Sequence, residues 1–95
     1  MNQIVGVTWN EFLSRYEAGL LLNPFAVREV DDAGVAIYCL YAYGERSIVQ
    51  VRSHRKAIRV WKSVDTLIRN IERDGVVKIK RLMVYGGIED VMVDM

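Results

Sequence analysis

The stretch RSIVQVRSHRKAIRVWKSVDTLIRNIERDG, Arg46 to Gly75, decides the reading of this chain. Ile48, Val49 and Val51 form one apolar run and Ile58 and Val60 a second, while Ser53 to Lys56 (SHRK) separates them with the polarity of a hairpin connection. Two short strands joined by a basic turn are expected. Ser63 then stands where a helix N-cap belongs, Asp65 falls in the first turn, and Val64, Leu67, Ile68 and Ile71 mark one side of a 3.6-residue repeat. Gly75 supplies the stop.

Upstream, Val35 to Tyr43 (VAIYCLYAY) is apolar on both faces and belongs in a sheet centre or under a partner. Asp32, Ala33 and Gly34 turn the chain into it from a strand over Ala26 to Asp31, and Gly44 and Glu45 turn it out again. In the strands that follow, Val49 and Val51 face the core with Gln50 and Arg52 outward, and Ile58 and Val60 alternate with Arg59 and Trp61. Nearer the start, Thr8 followed by Glu11 is a capping-box pattern opening a helix from about Trp9 to Leu22. Trp9, Phe12, Leu13, Tyr16 and Leu20 repeat along it at helical spacing, which favours core packing over a ligand platform, and Asn23-Pro24 ends it. Downstream of Gly75, Val76 to Tyr85 is expected as a further strand, with a bulge near Arg81 to restore its alternation. The remainder, Gly86 to Met95, is either flexible or docked on another subunit.

The expected fold class is therefore α+β: an antiparallel meander sheet of about five strands with two helices packed on one face, in the order α-β-β-β-β-α-β. Ninety-five residues make a single domain, 1–95, able to hold one core without metal or disulfide. An apolar fraction of 52% exceeds what disorder allows and, on strands, also what one small core hides, so a homodimer is expected.

The single cysteine, Cys39, lies in an apolar run with nothing nearby to lower its pKa, and reads as a buried small hydrophobe in a reducing compartment. The stretch MNQIVGVTWNEF has no basic region or long apolar core, and no window reaches the ~18 uncharged apolar residues of a membrane span. A cytoplasmic protein without membrane contact is the expectation.

Enzyme chemistry finds little support. His54 sits among cations with no carboxylate or cysteine beside it to orient it or share a metal, and reads as a solvated turn residue. Glu29, Asp31 and Asp32 straddle a turn as solubilising charge, and Gly86-Gly87 is too little for a phosphate cradle. No catalytic residue, metal site, cofactor or small-molecule substrate is expected.

Charge is the stronger signal. The net +1 divides into −4 over residues 1–45, +8 over 46–81 and −3 over 82–95. Such a basic middle attracts phosphate backbones through counterion release. The candidate nucleic-acid-binding residues are Arg46, Arg52, Arg55, Lys56, Arg59, Trp61 and Lys62, with Lys78 and Lys80 able to extend the patch, and Trp61 or Tyr38 able to stack on bases. This requires the cations to share one outward surface free of carboxylates. A protein-interaction or oligomerisation module, using the apolar strand at residues 35–43 and the IEDVMVDM tail, is the alternative.

Two resemblances bear on this choice. From Ala26 to Gly75, the strand meander, RVWKS and the following helix resemble the topology of Whirly-type single-stranded-DNA-binding domains. TWNEFLSRYEAG, YAYG, SIVQVRS and RVWKSVDTLIRNI are similar to small partition-associated accessory proteins of plasmids and integrative elements. The resemblance implies a bacterial mobile-element setting and DNA-linked work, and brings no functional residue with it.

Overall fold

The computed structural model describes residues 3–53, 57–75 and 82–93. Among the described residues nine elements follow one another: β1 (Gln3–Val7), α1 (Trp9–Glu17), β2 (Leu22–Val30), β3 (Ala36–Tyr43), β4 (Ser47–Val51), β5 (Val60–Trp61), α2 (Val64–Asp74), β6 (Met83–Tyr85) and α3 (Ile88–Val93). The fold is α+β, and the sheet is mixed rather than purely antiparallel. Its strand order is β1-β4-β3-β2-β6, with β5 also paired to β3. The β2-β3-β4 pairings are antiparallel as expected, whereas β1 joins β4 and β6 joins β2 in parallel.

Both expected helix starts are present. Thr8 Oγ1 accepts from the Glu11 amide at 3.3 Å and Ser63 Oγ from the Thr66 amide at 3.1 Å, each satisfying a donor the helix cannot. The Glu11 carboxylate turns instead to Arg15, one turn on. Helix α1 is shorter than the expected Trp9–Leu22 span. Gly19 adopts φ +77°, and the Leu20 and Gly19 amides bond back to the Arg15 and Tyr16 carbonyls, a Schellman closure that ends the helix before Leu20. Leu22 thereby opens β2, ahead of the expected Ala26 start, with a register irregularity between Leu22 and Phe25.

Strand alternation divides the core between two faces. On one, Ala26, Leu40, Ala42, Val49 and Val51 meet Phe12 of α1 and Leu67 and Ile71 of α2, so these two helices share a face as expected. The opposite face carries Phe25, Val27, Cys39, Tyr41 and Ile48 under α3. Val91 of α3 is 1% exposed there. Ile88 and Val91 of the tail thus pack on the second face of the sheet, which needs cover because β3 is apolar on both sides, and residues 94–95 lie outside the described residues.

The largest departure from the expected meander concerns β4 and β5. The expected antiparallel hairpin is present where residues 51–53 meet 57–59, with the Arg59 amide donating to the Val51 carbonyl at 3.2 Å, yet β4 and β5 themselves both run antiparallel to β3 and lie end to end along it. The pairing offset against β3 grows by eight residues from Tyr41↔Gln50 to Cys39↔Val60, so eight residues are inserted between the two pairings as an excursion from the β3 ladder. An Arg52↔Ile58 bridge and the Ser53 amide to Ala57 carbonyl bond of 2.7 Å close its base. The place vacated beside β4 belongs to β1, a strand the sequence reading omitted. Of the strand expected over 76–85, β6 is the described part; residues 76–81, including the proposed bulge near Arg81, lie outside the described residues.

Candidate nucleic-acid interface

The excursion between β4 and β5 carries four of the candidate residues, Arg52, Arg55, Lys56 and Arg59, and no carboxylate. The insertion of eight residues, an even number, lets β5 resume beside β3 with the alternation of faces unchanged. Arg55 and Lys56, with His54, lie outside the described residues.

Its two flanking arginines anchor it to opposite faces of the sheet. Arg59 lies over the α1/α2 face, with its guanidinium carbon 4.9 Å from the ring centroids of both Trp9 and Trp61. The two indoles are 5.6 Å apart. Such cation–π contacts contribute about 0.5–1 kcal/mol each at exposed sites. The Trp9 indole N–H donates to Asp74 Oδ2 at 2.9 Å, and Arg73 holds both oxygens of the same carboxylate, tying the start of α1 to the end of α2. The Arg73 bonds, followed by the Trp9 bond, hold the Asp74 carboxyl down at about 2.

Arg52 reaches the other face. Its Nε donates to Gln50 Oε1 at 2.9 Å, and Gln50 Nε2 donates to the Tyr41 hydroxyl at 2.7 Å. Gln50, expected to face solvent, is 4% exposed, because what looked like an outer face of β4 lies in the second core. Burial pushes the Tyr41 phenol up, against the opposing effect of the Gln50 bond. The Arg52 side chain crosses Gly6 of β1, where a Cβ would run into it.

The described candidate residues thus do not form one surface. Arg52 and Arg59 diverge across the sheet and serve as anchors. Arg46 is exposed at the start of β4, the opposite end of that strand, and Lys62 is exposed between β5 and α2. Trp61, expected to stack on bases, is 4% exposed and packed in the α1/α2 core. Ile58 and Val60, expected to alternate inward, are the exposed partners of that inversion. Sequence reading missed Trp9 as the seat of Arg59 and the Tyr41-Gln50-Arg52 chain; neither has a local signal, since their members come from different strands and helices.

The Asp74 carboxylate, held by Arg73, is also close enough to Arg59 for that guanidinium to help lower its pKa. Among the described residues, the ion pairs are Arg15–Glu11 and Arg73–Asp74, so Arg46, Arg52, Arg59 and Lys62 have no carboxylate within salt-bridge reach. No cluster of three or more His, Cys, Asp or Glu side chains that could hold a metal occurs among the described residues, and none of their helices is long and apolar enough to cross a membrane. No family model, curated protein or solved structure matches this chain.

Proposed function

We propose that this chain is a non-enzymatic nucleic-acid-binding accessory protein that contacts phosphates through the basic excursion between β4 and β5. What supports the reading is that the excursion is inserted into an otherwise continuous strand, is clamped at its base by Arg52 and Arg59, and carries cations without a carboxylate. Segments held on a rigid scaffold but dispensable to it are where binding residues concentrate. The single cationic surface expected of Arg46 to Lys62 is not met by Arg52 and Arg59, which lie on opposite faces, so the proposal is narrowed: Arg55 and Lys56 make the phosphate contacts, Lys62 supplements them, and Arg52 and Arg59 hold the base in place. The contacts are sequence-independent, and the accessory role within a mobile element rests on the resemblance of TWNEFLSRYEAG, YAYG, SIVQVRS and RVWKSVDTLIRNI alone.

The test is fluorescence anisotropy with generic single- and double-stranded oligonucleotides at low and moderate salt. Wild-type binding is expected to weaken with salt. Changing Arg55 and Lys56 together to Ala is expected to weaken it on every sequence and to reduce the slope of log K against log salt by roughly 1.8 on duplex, two phosphate contacts' worth. Arg46→Ala, at the far end of β4, leaves both unchanged. Equal affinity of the double variant and wild type refutes the reading.

A second reading, a protein-interaction module, is favoured by the sheet edges. Both terminal strands, β1 (QIVGV) and β6 (MVY), lack the charges and prolines that commonly protect an edge, and Ile4, Val5, Met83 and Val84 are exposed on them.

A further inference from the structure

We infer that β1 is the site of self-association: two copies of the chain pair antiparallel along Gln3–Val7 about a two-fold axis at Val5, joining their sheets into one. The backbone carries the argument. The Arg52 amide donates to the Val7 carbonyl at 2.7 Å, so Val7 directs its peptide groups towards β4. In a parallel ladder alternate residues do the same, which assigns Val5 and Gln3 to β4 and leaves the amides and carbonyls of Ile4 and Gly6 pointing to the edge that no described strand covers. That spacing is self-complementary. With Val5 opposite the Val5 of a second copy, each Ile4 meets the other's Gly6, and the two hydrogen-bonded pairs satisfy all four outward groups of each residue pair.

The side chains are compatible with a second copy. From Gln3 to Val7 the edge has no charge, so no like charges meet when it pairs with itself. Ile4 and Val5 are 38% and 37% exposed, and the two-fold lays Val5 against Val5 on the α1/α2 face. On the other face each Ile4 stands opposite a glycine, beside the stem of the Arg52 that crosses it. Edge β6 is the weaker candidate, with three residues against five. By strand spacing and rise, the pairing puts the two excursions roughly 25 Å apart on the joined sheet. The inference stands apart from the nucleic-acid reading, since it uses no residue of the excursion tip.

Sedimentation of the full chain over a range of concentrations, without nucleic acid, tests it together with three variants. Wild type is expected to pass from monomer to dimer. Ile4→Pro removes an outward amide and no bond to β4, so the variant is expected to keep its circular dichroism, and its thermal midpoint at a concentration where wild type is monomeric, while staying monomeric throughout. Val84→Lys on β6 leaves dimerisation unchanged. Val5→Cys, facing its own copy across a non-hydrogen-bonded pair with Cα atoms ~4.5 Å apart, is expected to form an intermolecular disulfide on mild oxidation, whereas Ile4→Cys does not. A wild type that is monomeric throughout, a folded Ile4→Pro variant that still dimerises, or a dimer abolished by Val84→Lys each overturns the inference. None of these outcomes touches the anisotropy result.

Discussion

Replacing Gln50 by Leu tests whether the second face of the sheet is held by the Tyr41-Gln50-Arg52 chain. Leu fills nearly the same volume, so the change isolates the hydrogen bonds. The Tyr41 hydroxyl, 4% exposed as a residue, loses the 2.7 Å bond from Gln50 Nε2, and half-buried Arg52 loses its acceptor but can turn to water. A buried polar group left without a partner costs about 1–3 kcal/mol, so a loss of about 2 kcal/mol is expected. For a domain of this size that corresponds to a fall of roughly 8–16 °C in thermal midpoint. Tyr41→Phe strands the Gln50 amide in the same way and is expected to cost a similar amount. Removing both partners leaves nothing polar to orphan between β3 and β4. The double variant is therefore expected to lose less than the two single losses combined, by about 1–2 kcal/mol. Urea unfolding of the four proteins at one fixed concentration measures the cycle. Additivity to within about 0.5 kcal/mol would refute the argument, because it would mean that the two side chains do not depend on each other.

Other consequences are measurable in the same way. Ser63→Ala removes the cap of α2 and is expected to cost about 1 kcal/mol in urea unfolding, with Ser63→Asp restoring most of it. Burial under α3 raises the Cys39 thiol from 9.0 to about 11, so the native state keeps a proton that the unfolded chain releases in that window. Stability is accordingly expected to fall as pH rises between those values, and native Cys39 to resist alkylation at pH 8. Val91→Ala is expected to cost about 2 kcal/mol and to speed that alkylation, read by mass spectrometry, if α3 is the cover of this face. Asp74 has the opposite sign: its carboxyl lies at about 2 against an ordinary 3.8, so the contribution of the Trp9 and Arg73 bonds is complete above the ordinary value and disappears as pH falls through about 2. Trp9 emission is expected to change over that range in wild type and to lose the step in Asp74→Asn.

Much of the architecture was legible because it is written locally. Thr8 and Ser63 carry oxygens at the one position where a helix start needs an acceptor, and both cap as expected. The two-sided apolar run ending at Tyr43 belongs in a sheet centre, and β3 has neighbours on both sides. The candidate interface was legible as composition only. That Arg52 and Arg59 leave the excursion in opposite directions follows from where β4 stops and β5 resumes along β3, and no spacing within SHRK encodes it.

The sequence by itself determined the class of fold, the helix starts, the apolar centre of the sheet and the concentration of positive charge between Arg46 and Arg81, since each depends on neighbours a few residues apart. Tertiary structure alone decided that β1 lies beside β4, that β4 and β5 are collinear, that Trp61 is covered by Arg59 and Trp9, and that α3 closes the second face. Those are pairings between segments distant in the chain, selected by which backbone groups and apolar surfaces remain unsatisfied once the local elements have formed.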